Sequence, residues 1–357
     1  MFLERAGRWF LNSGIQEEHG GVARYYRIDL GRNLRISTEI TGYAVSALVY
    51  LHQQTGQQEY LDAAIRAARF LTDSAWDAER QVFPFEWPPT QAPEENRVYF
   101  FDGGIIIRGL LALSRATGDT RYLHAAIACG DGMARVHEHN GAYAPILQLP
   151  NLEPLPYGGS WSNNPGCYQL KSALGWRQLW EATGEARYES WFETALNRAL
   201  ANDAQFLPGT PERHRVMDRL HAYSYFLEAL LSVSDRPQCR EALRNGIAKV
   251  AFYLRDIAPE FARSDVYGQL LRVRLFAAAH QAVPLDAAQA AEEAAAMGAF
   301  QLESTDPRLD GGFCFGRRNG ALTPHANPVS TAFCLQALAM WRQHEGGAIR
   351  ESWRDLI

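Results

Sequence analysis

Three carboxylates and one histidine stand where side chains could do acid–base chemistry. Glu39, Asp102 and Asp265 each fall at or just before the start of an apolar, helix-like run. Paired carboxylates can work as general acid and base, or as acid and nucleophile, on a glycosidic bond, with the environment raising one pKa and leaving the other ordinary. A plainer reading stands beside this one: Asp at a helix start is a favoured N-cap for backbone reasons alone. Glu39 caps poorly and follows Thr38, so a side-chain role suits it better; its plain alternative is a partner for the helix dipole. His221 is expected to open a fourth apolar helix, beside Tyr223 and Tyr225. Its imidazole can move protons near neutrality, although a histidine near a helix end also serves as ordinary structure. Arg213, His214, Arg215 and Arg219 make a local basic cluster, diluted by Glu212 and Asp218. An anionic ligand would suit that cluster; solvated charge is the default.

The residues expected to touch a ligand are Tyr43, Trp87, Trp161, Asn163, Tyr168, Asp265 and His325. Aromatic rings offer an apolar face to the C–H face of a sugar and a polar edge to its hydroxyls. The alternative is that these rings plug a cavity mouth or form a subunit contact. Asp310, Cys314 and His325 have the types of a zinc ligand set, but their spacing matches no strong signature. No glycine-rich phosphate loop, H-E-x-x-H, G-x-S-x-G or dinucleotide fingerprint is present. No metal and no cofactor are therefore expected.

Elements must place these groups, and a repeat says which. Thr55-Gly56-Gln57-Gln58-Glu59-Tyr60 recurs as Thr117-Gly118-Asp119-Thr120-Arg121-Tyr122 and as Thr183-Gly184-Glu185-Ala186-Arg187-Tyr188. Self-similarity at a near-fixed period means stacked or closed supersecondary units. An apolar run precedes each copy, at 43–51, 105–113 and 170–180, and an amphipathic helical pattern follows. The glycine ends one helix in a left-handed conformation and the next starts within a few residues. Each unit is thus a hairpin of a buried inner helix and a half-wet outer one. Further inner helices are expected at 221–233, 266–279 and 330–341, with outer ones to about 255 and at 285–302. Phe2, Leu3, Ala6, Trp9 and Phe10 form one face of an N-terminal helix that closes the outer ring against the last inner helix. The expected fold is all-α: an (α/α)6 toroid of six helical hairpins, forming a single domain over residues 1–357. Its long links, at 73–101, 139–167 and 303–328, would gather at the inner-helix N-termini and make a ligand funnel.

With these features the chain resembles the α/α-toroid superfamily, in particular its six-hairpin glycosidase-like and N-acylglucosamine-epimerase-like branch. Thr-Gly-x-x-x-Tyr after a buried helix carries the likeness. The segments Thr38-Glu39-Ile40-Thr41-Gly42-Tyr43 and Phe101-Asp102-Gly103-Gly104 resemble inner-helix starts in toroid proteins of polysaccharide metabolism. Two other segments, from Gln16 through Gly20-Gly21-Val22 and from Gln301 through Asp310-Gly311-Gly312-Phe313, resemble the cyclase and prenyltransferase branch. The D-x-D-D motif and a full Q-x-x-x-G-x-W repeat are absent, which argues against a cyclase. The resemblance implies acid–base chemistry on a sugar or oligosaccharide: hydrolysis, elimination or epimerisation, with Glu39, Asp102 and His221 as the catalytic group. A non-catalytic toroid that binds a glycan or a protein is the alternative.

Composition bounds the rest. The 357 residues carry a formal net charge of −5 with no run of Lys and Arg, so nucleic acid is not an expected partner. The expected partner is a sugar, for which an anionic form is one option, and a homo-oligomer is allowed. Residues 1–11 are broken by Glu4, Arg5 and Arg8 and do not read as a leader. No segment is long and apolar enough for a membrane span. The five cysteines contain no C-x-x-C pair and read as buried thiols. A cytoplasmic protein is expected.

Overall fold

The computed structural model describes residues 2–92, 95–139 and 141–357. Among them are twelve α-helices: α1 (Phe2–Asn12), α2 (Thr38–Thr55), α3 (Gln58–Arg69), α4 (Phe100–Thr117), α5 (Thr120–His137), α6 (Gln169–Thr183), α7 (Ala186–Phe206), α8 (Arg213–Leu230), α9 (Pro237–Ile257), α10 (Ser264–Ala279), α11 (Ala287–Gly298) and α12 (Pro328–Glu345). The even-numbered helices are buried nearly all round, while α3, α5 and α9 bury one stripe.

The Thr-Gly-x-x-x-Tyr repeat folds the same way three times. Gly56, Gly118 and Gly184 take φ of 70°, 73° and 74° and cap α2, α4 and α6. Each glycine N–H donates to the carbonyl four residues back, on His52, Ser114 and Trp180. Each threonine hydroxyl donates to the carbonyl four residues back, at 2.7, 2.8 and 2.8 Å, and accepts the N–H two residues on. Tyr60, Tyr122 and Tyr188 are buried in the helix that follows. Threonine therefore satisfies helix-end backbone groups on both sides of the turn, and glycine supplies the left-handed residue that reverses the chain.

The residues fall into two compact units, described separately. One contains Gln16–Arg24 and Leu34–Ala199. Here α2, α4 and α6 pack in sequence, and glycines set their spacing. The Gly42 Cα faces the backbone of Ile106, where a Cβ would come within 3.0 Å of the Ile106 Cα. A Cβ on Gly109 would lie 2.6 Å from the Gly42 carbonyl oxygen, and one on Gly104 would overlap Ser172. Three inner helices approach at backbone contact, so their first turns lie side by side. Ser172 Oγ, 2.7 Å from the Phe100 carbonyl and 3.0 Å from that of Phe101, pins α6 to the start of α4.

The other unit contains Met1–Ile15, Tyr25–Asn33 and Leu200–Ile357. In it α8, α10 and α12 are the buried helices, and α1 packs on α12 as the sequence pattern requires. At its centre Arg272, fully buried, binds Glu228, Gln336 and the Ile357 carbonyl. The fourth inner helix starts at Arg213 rather than at His221, which sits two turns inside it. Residues 211–215 are solvent-exposed and polar, so their hydropathy reads as loop although the backbone is already helical from Arg213. The basic cluster expected there is spent on Asp256 and Glu260 for Arg213 and on Glu212 for Arg215.

The long links carry short antiparallel strand pairs. Ile36–Ser37 pairs with Glu86–Trp87 ahead of α2, Arg97–Tyr99 pairs with Ile146–Gln148 ahead of α4, and Phe261–Arg263 pairs with Gly316–Arg318 ahead of α10. All five cysteines are buried and none forms a disulfide. Among the described residues no helix is long and apolar enough to cross a membrane.

Candidate active site

A carboxylate pair forms where α2 and α4 begin. Ser37 caps α2, accepting from Ile40 N at 3.3 Å, and Glu39 is the second helical residue. Tyr99 precedes α4 and Asp102 is its third residue, so Asp102 is not the N-cap. Asp102 is 2% exposed and its Oδ2 has no hydrogen-bond partner among the described residues. Burial raises Glu39 to about 7, against the pull of Arg24. Burial and then the charge of Glu39 raise Asp102 well above the usual carboxylate range, again against Arg24. Like charges in one dry site cannot both ionise cheaply, so the pair retains a proton at neutral pH.

The strand pairing brings the surrounding wall. Side chains alternate across a strand, so Glu86 and Trp87 face opposite ways. Glu86 takes Arg24 at 2.7 Å and Arg35 at 3.3 Å. Trp87 instead meets Phe70 and His19 edge-on, at 5.2 and 5.1 Å, on the face away from Glu86. The Arg24 guanidinium lies 5.0 Å from the centre of the Phe85 ring, and Phe85 lies 4.7 Å from Tyr99. The Tyr99 hydroxyl feels Asp102, Arg97 and Arg24 together. Tyr168 adjoins this group through Phe101, at 6.3 Å, and holds Trp161 edge-on at 5.0 Å. Its hydroxyl is committed to the Ser162 and Asn164 carbonyls, at 3.2 and 3.0 Å, and burial pushes its pKa up. Asn163 ends the half-buried turn Trp161–Asn163. Tyr43 is buried one turn below Glu39 on the same helix face.

A second cluster forms in the other unit. His221 Nδ1 lies 2.8 Å from Gln269 Oε1 and 3.4 Å from Asp265 Oδ2. Both neighbours accept, so Nδ1 carries the hydrogen and Nε2 is left with the lone pair. Burial pushes the His221 pKa down to about 4, against the pull of Asp265, so the ring is neutral at pH 7. Asp265 is held twice by Arg263, at 3.0 and 2.6 Å. Burial would raise Asp265, but Arg263 and His221 outweigh it and hold its pKa below the usual value. Arg263 continues to Asp218 at 2.9 Å. Tyr225 meets the His221 ring edge-on at 4.5 Å. His325 stands 4.8 Å from Tyr25 and 6.2 Å from Phe315, the ring under Arg263.

Of the expected residues, the structure thus joins Glu39 with Asp102 and His221 with Asp265. Trp87 packs on Phe70 and His19, on the face of its strand away from Glu86. Asp310 is tied to Arg5 at 2.7 Å, and the Cys314 thiol donates to the carbonyls of Gly316 and Thr323. Among the described residues no three His, Cys, Asp or Glu converge as a metal site. Arg24 and Arg97, and in the second cluster Arg263 and Gln269, carry no motif that singles them out in the sequence, and Asp218 reads there only as diluting a basic cluster. Only Arg263 carried a local signal, two residues before Asp265.

No family model matches the chain, and no curated protein matches it. Solved structures do. Cellobiose 2-epimerase from Spirochaeta thermophila DSM 6192 superposes with a TM-score of 0.71 at 15% identity, covering 96% of each chain. A D-mannose isomerase gives a TM-score of 0.67 at 9% identity over 96% of each chain. An unsaturated glucuronyl hydrolase specific for heparin gives 0.65 at 12% identity over 98% of each chain. At such identities the likeness speaks for architecture alone. The chain shares the (α/α)6 toroid fold of these structures.

Proposed function

We propose that this toroid is an enzyme acting on a sugar or oligosaccharide, with Glu39 and Asp102 as its acid–base pair. The observation that carries the reading is the pair itself: two neighbouring carboxyls, both raised, facing one arginine. The protonated member can donate to a departing oxygen while the ionised one takes a proton from water or from a sugar carbon. Hydrolysis uses the first pairing of steps, elimination the second. A toroid that only bound a glycan would have no need to keep a proton at the cost of burying two carboxyls.

Epimerisation or isomerisation is the second reading, and His221 favours it. A neutral imidazole whose Nδ1–H is tethered leaves the Nε2 lone pair to take a proton from a carbon acid beside a carbonyl, although burial makes it a weaker base than a free imidazole. Buried thiols without a disulfide suit a reducing compartment, and a cytoplasmic location is part of the proposal.

The test is a screen of disaccharides and reducing sugars with the wild type, Glu39→Gln, Asp102→Asn and His221→Ala. Loss of about 10²–10⁴ in turnover for both carboxyl variants is expected. Equal turnover in wild type and both carboxyl variants removes the acid–base role. Loss confined to His221→Ala selects the second reading.

A further inference from the structure

We propose that residues 156–159 form a strap that swings over Glu39 and Asp102 and lays the ring of Tyr157 on a sugar held there. The proposal rests on the reading of Glu39 and Asp102 as the acid–base pair and adds the element that covers them.

The strap hangs between two anchors. On one side Leu155 N donates to the Ile146 carbonyl at 3.0 Å, and Ile146 pairs with Tyr99, the residue before α4. On the other side the Ser160 carbonyl accepts from Asn163 N at 3.2 Å and from the Asn164 side chain at 2.8 Å. The Tyr168 hydroxyl fastens that turn by donating to the Ser162 and Asn164 carbonyls, and the Tyr168 ring stands 6.3 Å from Phe101. Both anchors thus lead back to residues 99–101, immediately ahead of Asp102. Between them Pro156, Tyr157, Gly158 and Gly159 are solvent-exposed and make no hydrogen bond among the described residues.

The residues suit a hinge. Gly158 and Gly159 take φ of 131° and 67°, yet a Cβ on either would meet nothing within 4 Å. Packing does not require glycine there; what the pair supplies is backbone freedom that other residues lack. Tyr157, at the tip, is 56% exposed, so its ring has apolar surface still to bury. Leaving this position breaks no hydrogen bond, which keeps the cost of the swing low. The length suffices. Leu155 lies one strand beyond Ile146, so about 10 Å separates it from the Arg97–Tyr99 strand. Two residues carry the Tyr157 Cα up to about 7 Å from Leu155, and the long side chain covers the rest. Closure takes the ring out of water, excludes water from the two carboxyls and offers an aromatic face to sugar C–H groups.

The experiment needs neither a ligand nor turnover, because a strap of this kind samples its closed position in the free protein. Tyr157 is replaced by the photo-cross-linking residue p-benzoylphenylalanine in dilute full-length protein. After irradiation, mass spectrometry maps the cross-linked peptides, and circular dichroism checks the fold. Links to residues 35–43 and 85–87, on the α2 side of the carboxyl pair, are expected beside local links within 146–168. Gly158→Val together with Gly159→Val should lose most of the α2-side links, because a β-branched residue is strained at positive φ and cannot follow glycine through the swing. Links confined to residues 146–168 and 97–101, or α2-side links unchanged in the double valine variant, overturn the strap. If the α2-side links form but Glu39→Gln turns over substrate normally, the strap stands and the acid–base reading fails. If the links stay local while both carboxyl variants lose turnover, the acid–base reading stands and the strap fails.

Discussion

The negative charge of Glu39 raises the proton affinity of Asp102, while Arg24 draws both carboxyls down. This relationship has a stability consequence with a definite sign. Glu39 rises from 4.5 to about 7 on folding, so the native state holds a proton that the unfolded chain releases. Stability therefore falls as pH rises through that window. Glu39→Gln should stabilise the protein by roughly 1–3 kcal/mol near pH 8, with the gain fading toward pH 4. Urea midpoints at the two pH values check this; a variant less stable than wild type at pH 8 would contradict it.

Arg24 is the cation common to both carboxyls. Arg24→Gln should move the Glu39 titration above about 7 and carry the pH–activity profile upward with it. A profile that stays in place would separate Arg24 from the pair.

In the second cluster the two aspartates on Arg263 differ in burial. Asp265 is 2% exposed, whereas the side chain of Asp218 is 41% exposed. Asp265→Asn leaves a buried guanidinium with half its partners and should cost about 3–5 kcal/mol. Asp218→Asn should cost less than about 1 kcal/mol. Chemical denaturation of the two variants decides it, and equal costs would mean that Asp265 is not the main counter-charge.

The glycines separate backbone strain from packing. Gly118 is left-handed and a Cβ there would meet nothing within 4 Å, so Gly118→Ala should cost only the conformational term, about 1–2 kcal/mol. Gly104 has ordinary helical backbone, but a Cβ would overlap Ser172. Gly104→Ala must push α6 away from α4 and should cost at least about 3 kcal/mol and disturb the site, since Ser172 pins the turn that carries Asp102. Melting curves with activity on the same samples test the contrast.

What the sequence made legible was local. Thr-Gly-x-x-x-Tyr makes its hydrogen bonds to backbone no more than four residues away, so hairpins and fold class could be read without distant contacts. Glu39 and Asp102 were legible because each sits in the first turn of an apolar helix. The partners were not. Arg24 and Glu86 meet across 62 residues, and they do so through strands two residues long, too short for alternation to register. Trp87 was expected at a ligand, yet that same strand turns it away from Glu86. His221 was placed at a helix start because the exposed polar turns before it hide the helix from hydropathy.

The shared proton is read most directly by a carbon-13 titration of the side-chain carboxyls in wild type and in Glu39→Gln. Glu39 should titrate near pH 7, and Asp102 well above the usual carboxylate range. In Glu39→Gln the Asp102 midpoint should fall, because the neighbouring charge is gone. A Glu39 that titrates at its ordinary value of 4.5, with Asp102 unmoved by the substitution, would contradict the acid–base pair on which the proposed sugar chemistry stands.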